Sequence, residues 1–352
     1  MSDVPVSHNR VLQPLLPSLK GSYNPCLGAV VFWRLVEMEY VPFGKTGIRV
    51  SKLCLGAMTF GKEADEKTSF AIMDRAFEIG INFIDTANMY NKGASEEIVG
   101  RWMGDKRESI ILATKVHCPM GPGPNDWGSS RRNILFAAEK CLKRLKTDWL
   151  DILYLHLWDD AAALEQSLAA MTTLVEQGKV MYCGVSNFSA WQTMKAIAIT
   201  EAKALAPAVC IQPMYNLVKR QVEVEILPMA VSEGLAVCPY SPLGAGLLTG
   251  KYLRGEPGRI RENEMYTKRF ANQQYTEVAR RFVPYAESLG HSPSALALAW
   301  VMSHPAITST IIGARDLVQL NDCLGCLDIR LTPEDRAKIT ALSIDPPSAT
   351  DR

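Results

Sequence analysis

Short apolar runs rich in β-branched residues alternate with amphipathic stretches along most of this chain. The runs at 52–55, 82–85, 109–116, 150–156, 180–186, 209–212, 235–240 and 308–312 read as strands. Between them, 67–79, 131–145, 161–177, 190–203, 222–232 and 294–302 carry helical periodicity. Gly80, Gly178 and Gly234 stand just past three of these, where a helix end favours a residue at ease in left-handed backbone. A helix after each strand supplies the crossover that parallel pairing needs. Alternation alone also fits a doubly wound open sheet. Eight units match the length of a closed (β/α)8 TIM barrel, roughly 250 residues plus insertions.

Composition excludes other classes. The 352 residues carry 38 Lys+Arg against 37 Asp+Glu, a net charge of +1, so no basic field invites nucleic acid. No apolar run reaches the roughly 18 residues of a membrane span. Nine cysteines are too few for a disulfide framework at this length, and their odd number leaves one unpaired within the chain. Cys54, Cys183, Cys210 and Cys238 lie inside apolar stretches, as buried thiols do. A reducing cytoplasm is the expected location, and oligomeric state is left open.

Residues 1–37 differ from the rest, with prolines at 5, 14, 17 and 25 and no clear periodicity. Their short apolar stretch, 27–33, lacks a basic segment directly before it, so no signal peptide is expected. A loosely ordered extension is expected there, then a folded domain over 38–346 and a tail at 347–352. The domain opens with two short strands around the Gly-Lys-Thr-Gly turn at 44–47.

In a barrel of this type the chemistry sits at the C-terminal strand ends. Those ends carry Asp85, Lys115, His156, Ser186 with Asn187, Gln212, and Tyr240 with Ser241. Any one could be an ordinary strand-end cap; the set points to one pocket. Tyr90 lies five residues past Asp85, near enough for a short loop to carry it over the mouth. A phenol titrating near 10 donates poorly at neutral pH unless a neighbouring cation stabilises its phenolate, and Lys115 ends the adjacent strand. Asp85 would hold that lysine, and His156 would orient a substrate oxygen. Such a group protonates an oxygen that gains charge as a carbonyl accepts hydride, which a nicotinamide must deliver.

The strings GAMTFG, FIDTANMY, ILATKV, LYLHLWD, GVSNF, IQPMYN, YSPLGAGLLTGKY and IIGARDLVQL, in this order, resemble the aldo-keto reductase superfamily. The resemblance covers about 39–345 and implies a (β/α)8 barrel closed at its base by an N-terminal hairpin. It implies reduction of aldehydes and ketones with NADPH, less often NADH, and it maps the catalytic Asp, Tyr, Lys and His onto Asp85, Tyr90, Lys115 and His156. It places Ser186, Asn187 and Gln212 at the nicotinamide carboxamide and Tyr240 under the nicotinamide ring. Ser241, Pro242, Leu243, Gly244 and Gly246 match the loop around the pyrophosphate, with Lys251 as its charged anchor. Gly313, Arg315, Gln319 and Asp322 match the adenosine-phosphate end. Arg261 matches a 2′-phosphate contact, with Arg259 two residues away. Two cations around a phosphate favour NADPH. Cys323 departs from the Asn that long-chain members often carry.

Other signals carry less. The third glycine of GAGLLTG falls one residue too late for G-x-G-x-x-G and follows the seventh strand, against a Rossmann reading. Cys323 and Cys326 have metal spacing but no second pair, so they read as packing, and no metal is expected. Asp159 and Asp160 read as a helix start. Met58, His117, Trp127 and Trp158 read as substrate-pocket walls, and the Pro/Gly-rich loop 117–130 as a flexible lid for small carbonyl compounds. The loop 253–275 reads as a cover for the cofactor phosphates or a solvated insertion. A glycosidase would need a second carboxylate at the strand ends. The rival function is a cofactor-sensing subunit resembling potassium-channel β-subunits; those have Asn where this chain has His156.

Overall fold

A computed structural model describes residues 10–14 and 33–350, the backbone alone for 10–14 and 33–37. Strand β1, Arg10–Pro14, pairs antiparallel with β2, Trp33–Glu37. This ribbon lies in the segment read as a loose extension. Its partners are separated by residues 15–32, so no short-range hairpin signal marks it; 1–9, 15–32 and 351–352 lie outside the described residues. Next, β3 (Tyr40–Pro42) and β4 (Arg49–Ser51) form the expected hairpin around 44–47.

Eight strands then follow: β5 (Leu53–Gly56), β6 (Phe83–Asp85), β7 (Ile111–Val116), β8 (Leu150–Leu155), β9 (Val180–Ser186), β10 (Ala208–Gln212), β11 (Ala236–Val237) and β12 (Thr310–Ile312). They pair in parallel from β5 to β11 in sequence order, with β12 beside β5. The two outer strands meet. The Thr308 and Ser309 amides donate to the Val237 carbonyl at 2.9 and 3.3 Å, and the Ile311 amide donates to Pro239 at 3.0 Å. Those bonds close the sheet into a barrel. Strand β11 is shorter than the 235–240 expected because Pro239 has no N–H for the ladder.

Helices cover the outside. Arg131–Leu145 and Ala190–Lys203 match their expected bounds, and each starts on a serine that accepts a third-position amide, Ser130 from Asn133 and Ser189 from Gln192. The stretch read as one helix at 222–232 begins only at Ile226, after a tight turn at Gln221–Glu223. Pro228 explains the shift: within a helix starting at 222 its ring would meet the Val224 carbonyl. Helices Ala94–Met103, Gln273–Ser288 and Pro333–Thr340 were not read from the sequence. Among the described residues no helix is long and apolar enough to cross a membrane.

Two cores result. The larger fills the space between barrel and helices. The smaller lies inside the barrel and joins Phe83, Ala113, Ile152, Tyr154, Cys210 and Cys238 to Phe43 and Val50 of the hairpin. Phe43 is fully buried, edge-on to Phe83 at 5.7 Å, so the hairpin plugs the base. Cys54, Cys183, Cys210 and Cys238 are buried free thiols, as are Cys323 and Cys326, the latter against Met302 sulfur at 3.5 Å. Phe43→Ala leaves a cavity under the barrel and is expected to cost about 3–5 kcal/mol, read as a lower midpoint in urea unfolding.

Candidate active site

Asp85 ends β6 and Lys115 lies near the end of β7, so parallel pairing brings them side by side. The Lys115 ammonium is fully buried and has three hydrogens to place. It donates to Asp85 Oδ1 at 2.5 Å, the Thr86 carbonyl at 2.8 Å and Tyr90 Oη at 3.2 Å. Asp85 Oδ2 accepts from Gln212 Nε2 of β10 at 2.8 Å. Because Tyr90 oxygen accepts from the lysine, its own hydrogen is free for another acceptor.

A left-handed turn brings Tyr90 back. Asn91 and Lys92 have φ of 50° and 56°, and the Asn91 amide donates to the Met58 and Phe60 carbonyls at 3.1 and 2.6 Å. Asn tolerates this backbone better than most residues, which is the one local hint of the turn in the sequence. His156 follows β8 with its ring edge-on to Tyr90, centroids 6.2 Å apart.

Electrostatics assign protons to these groups. Burial works against the Lys115 charge, but Asp85 and Tyr90 outweigh it and hold the ammonium above its ordinary pKa. Burial raises the Tyr90 phenol above 10.0, with Lys115 opposing, so the phenol keeps its proton at neutral pH. Burial, with Lys115 and His117 adding, pushes His156 down to about 3, so its imidazole is neutral.

Ser186, Asn187, Gln212 and Tyr240 converge on one side of this group. Ser186 Oγ donates to the Gln212 carbonyl at 3.0 Å. Asn187, left-handed at φ 58°, donates to the His156 carbonyl at 3.0 Å and accepts from Tyr240 Oη at 2.7 Å. Next to Tyr240, Ser241, Gly244, Ala245 and Gly246 all take positive φ, from 56° to 88°. Pro242 and Leu243 lie between them, and the Gly244 amide donates to Ser241 at 2.9 Å. Such backbone turns amides toward a concavity that suits an anion. A Cβ on Gly246 would lie 2.6 Å from Lys251 Cε, so the glycine lets that side chain cross the loop.

Burial, then Arg315 and Arg259, push the Lys251 ammonium below its ordinary pKa, which marks a cluster of three cations. Arg259 has one long ion pair, to Glu63 at 3.7 Å. The guanidinium of Arg261, matched to a 2′-phosphate contact by the motif, donates to the carbonyls of Gly255 at 2.5 Å, Glu256 at 3.1 Å and Tyr252 at 3.1 Å. Those bonds clasp the 253–275 loop, and Arg259 belongs to the cluster with Lys251 and Arg315. Gly313 follows β12 close to the Gly56 carbonyl, and Gln319 accepts from the Arg315 amide at 3.3 Å. Asp322 is exposed on helix Leu317–Leu324, whereas Cys323 is buried in the core.

The expected pocket walls divide. His117 is buried and hydrogen-bonded through Nδ1 to Ser129 Oγ at 3.0 Å. Its carbonyl accepts from Gly128 at 2.6 Å, and Asp159 Oδ2 accepts from the Ser129 amide at 2.6 Å. The 117–130 loop read as a flexible lid is thus fastened at its ends. Asp159 and Asp160 do not start the helix, which begins at Leu164. Asp159 instead caps that loop, and Asp160 accepts from Trp158 Nε1 at 2.7 Å. Trp158 packs edge-on to Phe188 and Trp191, each 5.3 Å away. Trp127 is half-exposed on the loop, and Met58 is partly buried beside the Tyr90 turn. Residues that the sequence reading missed are Thr86, Asn91 and Cys118; each acts through backbone or tertiary contacts that no strand-end rule detects.

The structure thus defines a closed parallel barrel with a buried Asp–Lys–Tyr cluster at its mouth. The family model for the aldo/keto reductase family matches residues 52–344, and the chain belongs to that family. It is 40% identical over 310 residues to the uncharacterized oxidoreductase YrpG of Bacillus subtilis, covering 84% of this chain and 93% of that protein. It is 36% identical over 333 residues to a probable voltage-gated potassium channel subunit beta of Oryza sativa, covering 89% and 99%. It is 33% identical over 323 residues to norsolorinic acid reductase B of Dothistroma septosporum, covering 87% and 81%. The members of this family generally use NAD(P)H and act on small molecules.

Removing the lysine tests the cluster. Lys115→Met leaves the buried carboxyl of Asp85 without its partner and is expected to cost about 3–5 kcal/mol in equilibrium unfolding, against a much smaller loss for the Asp85→Asn/Lys115→Met pair.

Proposed function

We propose that this protein reduces aldehydes or ketones to alcohols with NADPH, Tyr90 acting as general acid. The observation that carries this reading is the Lys115–Tyr90 bond at 3.2 Å, in which the phenol oxygen accepts and its hydrogen stays free for a substrate oxygen. The residues fit a dinucleotide phosphate. Left-handed backbone from Ser241 to Gly246 forms an anion cradle, and Lys251, Arg259 and Arg315 gather positive charge beside it.

Asn187, Ser186 and Tyr240 would hold the nicotinamide end, and Gln212 would join them while keeping its bond to Asp85. Bound nicotinamide supplies the hydride. Tyr90 gives its proton to the carbonyl oxygen, Lys115 stabilises the phenolate left behind, and Asp85 holds the lysine in place. His156, neutral, donates to the same oxygen and orients it. Met58, Trp127 and Trp158 would form apolar walls for the substrate; His117 would act only through the loop it fastens.

A second reading is a cofactor-sensing subunit, favoured by the 36% identity to the Oryza sativa protein. The complete set Asp85, Tyr90, Lys115 and His156 favours turnover instead.

NADPH oxidation with 4-nitrobenzaldehyde, methylglyoxal and glyceraldehyde decides between them. Wild type is expected to turn over, and Tyr90→Phe to lose at least about a hundredfold in kcat with NADPH still bound. Tight NADPH binding without wild-type turnover would favour the sensor, and absence of binding would remove the cofactor assignment. With His156 neutral down to about 3 and Tyr90 protonated beyond 10.0, the reduction rate should stay flat from about pH 5 to 9 and fall at higher pH. Titration by fluorescence should show Arg259→Ala weakening NADPH by about tenfold while leaving NADH unchanged, and Arg261→Ala doing much less.

A further inference from the structure

Cys118 lies three residues beyond Lys115, where the chain leaves β7, with its side chain buried. Its Sγ is 3.8 Å from His156 Nδ1. Among the described residues no other hydrogen-bond partner is found for the His156 ring, while its backbone is held by Val116 on one side and Asn187 on the other.

A neutral imidazole has one N–H and one bare nitrogen, and the partner at one nitrogen decides the state of the other. A thiol is a weak donor and its sulfur a weak acceptor, whereas a bare imidazole nitrogen is a good acceptor. The S–H···Nδ1 arrangement is therefore the better of the two. Burial holds the Cys118 thiol above its ordinary pKa, with Lys115 opposing, so the hydrogen is present to donate. With Nδ1 accepting, the imidazole proton lies on Nε2, across the ring from the thiol.

We propose that Cys118 is a positioning residue that fixes the Nε2–H tautomer of His156, so that the imidazole donates to a substrate carbonyl oxygen. The role of that donor rests on the reductase reading above; the tautomer itself does not. The effect is expected to be modest, because a thiol orients a histidine less firmly than the buried carboxylate of a hydrolase triad.

The test uses the full-length chain, 15N-labelled, with long-range proton–nitrogen correlation spectra of the histidine rings. The chain has 5 histidines, and His156 is assigned by the signals lost in His156→Gln. Wild type is expected to show His156 as Nε2–H at neutral pH. Cys118→Ala should mix the two tautomers and lower kcat for 4-nitrobenzaldehyde by about tenfold with KM and NADPH affinity little changed, a loss well below that of a triad carboxylate. Cys118→Ser, which keeps a donor, should restore both tautomer and kcat. A wild-type spectrum with the proton on Nδ1 would overturn the proposal, as would an alanine variant with unchanged tautomer. A wild type that shows Nε2–H but reduces no carbonyl would instead remove the reductase reading and leave the tautomer assignment standing.

Discussion

The buried ammonium of Lys115 sets conditions that the rest of the mouth must meet. An amine with no access to water stays charged only if a carboxylate neutralises it and each of its hydrogens has an acceptor. Asp85, the Thr86 carbonyl and Tyr90 supply all three, and Gln212 takes the second carboxylate oxygen. These groups come from β6, the loop after it and β10, on opposite sides of the barrel. Only a closed sheet places them within one hydrogen-bond shell.

Closure in turn depends on both ends of the barrel. At the base, Phe43 of the hairpin fills the interior beneath Phe83 and Ile152, so the strands wrap around a packed centre. At the seam, bonds from Thr308, Ser309 and Ile311 to Val237 and Pro239 join the last strand to its short neighbour. The mouth is left to loops, which are anchored by side chains: Asn91 for the Tyr90 turn, His117 and Asp159 for the 117–130 loop, and Arg261 for the 253–275 loop.

Charge is divided between two regions of the site. Around Tyr90 the ion pair of Asp85 and Lys115 adds little net charge, and burial keeps the phenol and the imidazole beside it neutral. Around Lys251 the cations of Arg259 and Arg315 lie together, with long ion pairs to Glu63 and Asp316 among the described residues. Positive potential so arranged favours a polyanionic phosphate group beside a catalytic centre that carries little net charge.

The sequence alone determined the strand–helix alternation, because hydrophobic period is a local property of each segment, and eight such units match the length of a closed barrel. It also marked Asp85, Lys115, His156, Ser186, Gln212 and Tyr240, since the rule that strands end at the site needs only the strand bounds. Tertiary structure decided what depends on contacts distant in the chain. Pro228 and Pro239 moved element ends through backbone groups they cannot supply or would strike. The Arg10–Pro14 and Trp33–Glu37 pair lies across a long separation that leaves no local signal. Arg259 and Arg261 are two residues apart and chemically alike. That Arg261 clasps its own loop while Arg259 lies with Lys251 and Arg315 is set by the groups each guanidinium meets after folding. Cys118 falls in the sequence within the loop read as a lid, and meets His156 only because β7 and β8 lie side by side.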